Sequence, residues 1–148
     1  MIDLEELQNI KFNSSTKIQI RFNDVDIVGH INNAVQVSYL DYGKIKYYEH
    51  VKQNVINWHE AEFVVVNINV NYIEPIFMHE HIEVLTKIIE IGNKSVKMLQ
   101  IIRETENGRV KTVAQTVMCG FDPKTSTSVV VSDTWRDLIR KFENMETF

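Results

Sequence analysis

The sequence predicts an α+β domain, an antiparallel sheet packed with one long helix, and three observations predict it. A helical pattern runs from residue 33 to about residue 50 without a proline. Alternating runs at 63–72, 80–91, 95–103 and 110–121 are broken by turn residues, with Gly92-Asn93 and Glu106-Asn107-Gly108 at hairpin positions. Successive hairpins give an antiparallel sheet. A second helical pattern follows Ser132, a good cap, with Trp135, Leu138, Ile139 and Phe142 at i, i+3, i+4 and i+7. Such a helix docks on the sheet edge.

Composition bounds what the domain can be. The chain has 148 residues, of which 44% are hydrophobic, and no glycine- or proline-rich linker or internal repeat divides it, so one domain over 1–148 is expected. The formal net charge is -4 and the basic residues are scattered, which excludes the electrostatic footprint of a nucleic-acid partner or an anionic membrane. Cys119 is the sole cysteine, so no internal disulfide can form, as suits a reducing compartment. The N-terminus is acidic where a signal peptide would be basic, and no apolar run reaches membrane-spanning length. A soluble, cytoplasmic protein is expected.

Taken in order, residues 1–15 are mixed and end in the turn cluster Asn13-Ser14-Ser15, which reads as a peripheral segment. Residues 16–23 alternate, with Ile18, Ile20 and Phe22 on one side of a half-buried strand. Asn32 and Asn33 are N-cap candidates for the long helix, which spans roughly 27 Å at 1.5 Å per residue. Val35, Tyr39 and Tyr42 fall at i, i+4 and i+7, flanked by Val37, Leu40 and Lys44, so the helix is apolar over a wide arc and fits an embracing sheet. Gly43 lies inside that helix at a cost of about 1 kcal/mol relative to alanine, which points to a backbone or ligand in close approach.

Residues 51–61, including Trp58-His59-Glu60, read as the helix end and a loop suited to substrate-specific contacts. The run 63–72 sets Val66, Ile68, Val70 and Tyr72 against Asn67, Asn69 and Asn71, a regularity expected of a central strand. Its asparagine face should meet solvent, a subunit interface or the rim of a site. Pro75 closes this strand. The strand at 110–121 carries small residues at its middle, where a helix can pack closely. His79 and His81, two apart, would share a face on a strand, but no further ligand stands at a telling spacing, and a polar strand start is preferred to a metal site.

The densest chemistry lies between the first strand and the long helix, in Arg21-Phe-Asn-Asp-Val-Asp-Ile-Val-Gly-His-Ile-Asn-Asn33. Asp24 and Asp26 stand two apart, with Gly29 and His30 following and two asparagines at the helix start. Turn formation and capping would account for both aspartates. A loop that brings a carboxylate to a helix N-terminus also combines a base or nucleophile with backbone N–H donors for a developing oxyanion.

This pattern, D-x-D-x-x-G-H-x-N-N, followed by a tyrosine-bearing helix and a strand ending in Asn71-Tyr72-Ile73-Glu74-Pro75, resembles the hydroxybenzoyl-coenzyme A thioesterase group of the hotdog-fold acyl thioesterases, over most of the chain. The plant acyl-carrier-protein thioesterases share D-x-x-x-H-x-N-N but have an asparagine where this chain has Val28. The resemblance implies the hotdog fold, dimerisation and hydrolysis of acyl thioesters. It places the catalytic carboxylate on Asp26, with Asp24 structural and Arg21 a structural ion-pair partner. His30 either fixes the turn through a hydrogen bond of its ring to backbone or orients substrate or water. Val28, Gly29 and Asn33 are expected beside the substrate. Tyr39 and Tyr42 are read as core packing or as a wall of the acyl pocket, and Asn67 and Asn69 as contacts made from a neighbouring subunit's strand.

The expected chemistry is cleavage of an acyl-coenzyme A or acyl-carrier-protein thioester, with the carbonyl oxygen on N–H groups at the start of the helix and Asp26 as nucleophile or general base. No cofactor or metal is required, because coenzyme A or the carrier protein is part of the substrate. No G-x-S-x-G supports an α/β-hydrolase route. A non-catalytic acyl-thioester-binding module and an enoyl-thioester hydratase are the alternatives. The working unit is expected to be a homodimer, or a dimer of dimers, joined through the strand at 63–73, since a long regular strand left as an edge invites pairing.

Overall fold

The structure is a computed structural model that describes residues 2–56 and 63–145; Trp58, His59 and Glu60 lie outside them. The elements in order are α1 (Leu4–Leu7), β1 (Ser14–Ile18), a 3-10 turn (Phe22–Asp24), α2 (Asn33–Lys52), β2 (Phe63–Tyr72), β3 (Ile82–Ile91), β4 (Ser95–Glu104), β5 (Val110–Asp122), β6 (Thr127–Val129) and α3 (Asp133–Glu143). All pairings are antiparallel, in the order β1-β3-β4-β5-β2, with β6 beside the far end of β5. This is the hotdog arrangement, a curved sheet around the long helix α2, with α3 packed beside it. No helix among the described residues is long and apolar enough to cross a membrane.

The curvature has a local cause. Phe63 packs on Tyr48 and Trp135, and Val70 packs against the buried cluster that holds Tyr39 and Leu40, so an odd and an even residue of β2 both face the core under the helices. Alternation alone forbids that, and the register shift between Val65 and Asn67 supplies the extra residue. A second shift in β3, between Ile88 and Glu90, works in the same way and bends the sheet round α2.

Gly43 is needed where α2 crosses the sheet. A Cβ there would stand 2.5 Å from Val84 Cγ1 and 3.3 Å from Gln100 Nε2, so the close neighbour is a strand side chain. Gln100, fully buried on β4, donates to the Leu40 carbonyl at 2.9 Å and to Thr86 Oγ1 at 3.1 Å, which fixes the helix on the sheet. Thr112, Ala114 and Thr116 are the small residues of β5 over which the helix lies.

α3 closes the other end. Its Ser132 cap accepts from the Trp135 N–H, and Trp135 and Ile139 join Tyr47, Tyr48 and Met118 in one buried cluster. β1 pairs β3 only from Ile82 to Thr86, which leaves the rest of that edge open. The buried Glu143 carboxylate covers it, accepting from the Ile88 N–H at 3.2 Å, Tyr47 Oη at 2.8 Å and Lys87 Nζ at 2.8 Å.

Four expectations need correction. The N-terminal segment is not peripheral: Leu7 is buried against Leu85, Leu99, Ile101 and Val113 and covers part of the sheet's back face. The first strand ends at Ile18, and Phe22 is exposed, because Asp24 accepts from the Arg21 N–H and curls the chain out of the ladder. β2 is an edge strand within the chain, since regular alternation reports which face is buried and not whether both edges are paired. His79 and His81 precede β3, which begins at Ile82, and among the described residues no three His, Cys, Asp or Glu side chains are placed to hold a metal.

Gly43→Ala should lower stability by about 1–3 kcal/mol, because overpacking against Val84 outweighs the roughly 1 kcal/mol gained in helix propensity. Urea denaturation measures this, and a more stable variant would show that the contact is loose.

Candidate active site

The site begins with a buried charge. Asp24 accepts from Arg21 N at 2.9 Å and Arg21 Nη2 at 3.1 Å, and from Tyr39 Oη at 2.5 Å. Burial pushes the Asp24 carboxyl up, but these donors, with Tyr39 first, reverse the effect and hold it below the usual carboxylate range. The same burial and the neighbouring carboxylate push the Tyr39 phenol up, so it stays a neutral donor. Asp24 is thus buried and fully engaged, and Arg21, expected from sequence to make an ion pair, makes it here.

The backbone then makes a small hairpin. Val25 bridges Ile31, the Asp26 N–H donates to the His30 carbonyl at 2.9 Å, and the Gly29 N–H donates to the Asp26 carbonyl at 3.0 Å. Gly29 takes φ +88°, which disfavours any side chain there. The Asp26 carboxylate is half-buried and accepts from the Val28 N–H at 3.0 Å. Two further bonds dock the hairpin: Asn32 N to the Asp24 carbonyl at 2.9 Å, and Ile31 N to the Ile76 carbonyl at 2.8 Å. Its outer residues Phe22, Ile27 and Val28 are apolar and exposed.

α2 starts directly behind this hairpin. Asn32 is its N-cap, with Oδ1 accepting from the Ala34 N–H at 2.8 Å. That leaves the N–H groups of Asn33 and Val35 without a partner among the described residues. No acidic side chain stands in the first turn, so the positive end of the dipole is uncompensated there. Beside it opens a cleft of about 250 Å³, with His30, Ile31, Asn33 and Gln36 on one wall and the chain from Tyr72 to Pro75 on the other.

The far wall is held by charges. Lys111 is buried at the register shift between β4 and β5, 2.8 Å from Glu80 Oε2 and 3.6 Å from Glu74 Oε2, and donates to the Pro75 carbonyl at 3.3 Å. Arg109 donates to Glu74 Oε1 at 2.7 Å. Burial pushes the Glu80 carboxyl up, and Lys111 and the Phe77 N–H more than reverse this. Glu74 is held low mainly by Arg109.

Of the residues singled out from sequence, His30 and Asn33 meet in this cleft. Asp26, Val28 and Gly29 sit on the adjoining hairpin. The His30 ring packs edge-on against Phe77, with centroids 5.1 Å apart, and makes no hydrogen bond to backbone among the described residues. Tyr39 is buried on Asp24, and with the exposed Tyr42 it borders a wider groove of about 540 Å³ between β1 and α2. Asn67 and Asn69 stand with Lys97 and Gln115 round a depression on the face of the sheet away from α2, so this chain does not bring them to its own cleft. Sequence reasoning missed Gln36 and Tyr72. Gln36 lies one turn after Asn33, on the same face of α2, and Tyr72 Oη donates to the Asn33 carbonyl at 3.1 Å.

Comparison with known proteins agrees with this architecture. The family model described as the thioesterase-like superfamily matches residues 20–140. The chain belongs to that superfamily. It is 26% identical over 129 residues to the long-chain acyl-CoA thioesterase FadM of Escherichia coli (strain K12), covering 85% of this chain and 96% of that protein. Among solved structures, a thioesterase from Thermus thermophilus complexed with coenzyme A and zinc superposes with a TM-score of 0.81 at 26% identity, over 92% of this chain and 98% of that one. The DHNA-CoA thioesterase of Staphylococcus aureus shares the fold, with a TM-score of 0.78 at 19% identity over 89% of this chain and 91% of that one.

Because folding lowers the Asp24 pKa, its contribution is present above the unfolded value of about 3.9 and is lost as pH falls through the folded value. Asp24→Asn should cost about 1.5–3 kcal/mol at pH 7, and the difference from wild type should shrink on acidification below about pH 4. Urea titrations at several pH values read both. A difference independent of pH would mean that the carboxylate's charge is not what the site uses.

Proposed function

We propose that the protein hydrolyses acyl thioesters, with Asp26 as the catalytic carboxylate and the start of α2 as the oxyanion site. The observation that carries this is the docking of an acid-bearing hairpin on a helix end whose first N–H groups are unspent. In a member of the thioesterase-like superfamily, those donors suit the carbonyl oxygen of a thioester, whose negative charge grows as the carbonyl carbon is attacked. The acyl group then enters the cleft past His30, and the thiol portion leaves towards solvent.

Asp26 acts either by accepting a proton from water as the water oxygen bonds to the carbonyl carbon, or by attacking that carbon itself to give an anhydride that water cleaves. In both, the C–S bond breaks, the sulfur leaves as thiolate and takes a proton, and one water is consumed. The bond from the Val28 N–H, the one the carboxylate accepts among the described residues, holds it at the hairpin tip and leaves its second oxygen available for this step. One relative is named a long-chain acyl-CoA thioesterase and another is a thioesterase complexed with coenzyme A, which makes acyl-coenzyme A the first substrate class to test. A non-catalytic binding module would need no such carboxylate.

The same reading includes a second copy of the chain. Among the described residues β2 leaves one edge unpaired, and its Val64, Val65, Val66 and Ile68 are exposed. Pairing two such edges about a two-fold axis satisfies their N–H and C=O groups and covers these side chains. The exposed hairpin residues Ile27 and Val28 would gain cover in the same assembly, and each site would be walled by both protomers.

Two experiments test these claims. Asp26→Asn should fold normally and lose at least about 10²-fold in kcat on acyl-coenzyme A substrates, read by thiol release; near wild-type turnover would remove Asp26 from catalysis. Val66→Lys should lower dimer content in light scattering and activity together, because Val66 is exposed on the unpaired edge. Val70 is the poorer probe, being packed on the core. A fully active monomer would refute the shared site.

A further inference from the structure

Gln36 is a buried polar residue with half of its amide unused. It sits in the first turn of α2 and is 2% exposed. Its Oε1 accepts from the fully buried Thr112 Oγ1 on β5 at 2.5 Å. Its Nε2 has no partner among the described residues, and the side chain lines the cleft beside His30 and Asn33. A side-chain amide held at one end and open to a cleft at the other can donate to a ligand that enters.

Two other polar groups of the cleft are committed elsewhere. Tyr72 Oη donates to the Asn33 carbonyl, and Glu74 is bound by Arg109 and lies 3.6 Å from Lys111. Of the polar side chains that remain, His30, Asn33 and Gln36, the Gln36 amide is the one held by a buried bond, to Thr112, and it is the donor positioned to read a group that enters. Gln36 stands three residues past Asn33, roughly 4.5 Å along the helix axis at 1.5 Å per residue. A thioester carbonyl held at the Asn33 N–H would put the first carbons of the acyl group opposite it.

Resting on the thioesterase reading above, we propose that Gln36 is a specificity-determining residue that donates from Nε2 to an oxygen on the acyl group close to the thioester. The preferred substrates are then acyl thioesters with a hydroxyl or keto oxygen near the carbonyl, in preference to plain saturated chains of equal length. Thr112 is the positioning residue, because its bond to the Gln36 amide holds that side chain against β5. Removing the acceptor from the substrate leaves Nε2 unpaired in the complex, which is how a hydrogen-bonding site rejects an analogue that lacks the group.

The test compares kcat/KM for 3-hydroxyhexanoyl-coenzyme A and hexanoyl-coenzyme A by thiol release in the full-length protein. Wild type should favour the hydroxylated ester by about tenfold or more. Gln36→Leu and the near-isosteric Gln36→Glu should bring that ratio towards one. Thr112→Val should lower it, whereas Thr112→Ser, which keeps the hydroxyl, should restore it. Thermal melts identify folded variants, and Gln36→Glu decides the matter if Gln36→Leu does not fold. A wild-type ratio near one, or a ratio unchanged in Gln36→Glu, overturns the proposal while leaving thioester hydrolysis standing. Absence of thiol release from any acyl-coenzyme A overturns both.

Discussion

The structure depends on one buried carboxylate. Asp24 joins three segments that would otherwise meet without a fixed relation: the end of the first strand through Arg21, the long helix through Tyr39, and the hairpin through the Asn32 N–H on its own carbonyl. A buried charge is tolerated only when its oxygens are satisfied, so any movement of the three segments apart strands it. The hairpin tip is thereby held against the start of α2. The two aspartates two residues apart divide the work, one buried and spent on geometry, the other half-buried and available.

The rest of the chain holds the two walls of the cleft. Gly43 and Gln100 set how close α2 lies to the sheet, and Thr112 ties its first turn to β5 through Gln36. On the other side, Lys111 occupies the extra position where β4 and β5 slip register and gathers Glu74, the Pro75 carbonyl and Glu80. A register shift re-aims one side chain without ending the sheet, which is how a strand residue comes to brace a loop. Ile76 then receives the Ile31 N–H, and Phe77 receives the His30 ring.

Much of this was legible in the sequence because it depends on period and local turn chemistry. The run from Asn33, the hairpins at Gly92-Asn93 and Asn107-Gly108, the cap at Ser132 and the close approach at Gly43 are all properties of neighbours along the chain. What escaped depends on partners far away. Nothing near Leu7 says that it covers the sheet's back face, and nothing in the alternation of β2 says that its outer edge is unpaired. Phe22 looked like strand because its alternation was intact, and a side-chain bond from Asp24 overrode it. Gln36 passed unnoticed because a glutamine in a helix is ordinary until Thr112, seventy-six residues away, is seen to hold it.

The central claim is that the thioester carbonyl meets the first N–H groups of α2 with the Asp26 carboxylate beside it. A crystal structure with a non-hydrolysable acyl-coenzyme A analogue, its sulfur replaced so that the bond cannot be cleaved, tests this most directly. The account predicts the carbonyl oxygen within about 3 Å of the Asn33 or Val35 N–H, with an Asp26 oxygen or a water bound to it facing the carbonyl carbon. An analogue whose carbonyl lies in the groove between β1 and α2, bordered by Lys17, Arg21 and Tyr42 and away from the helix start, would contradict it.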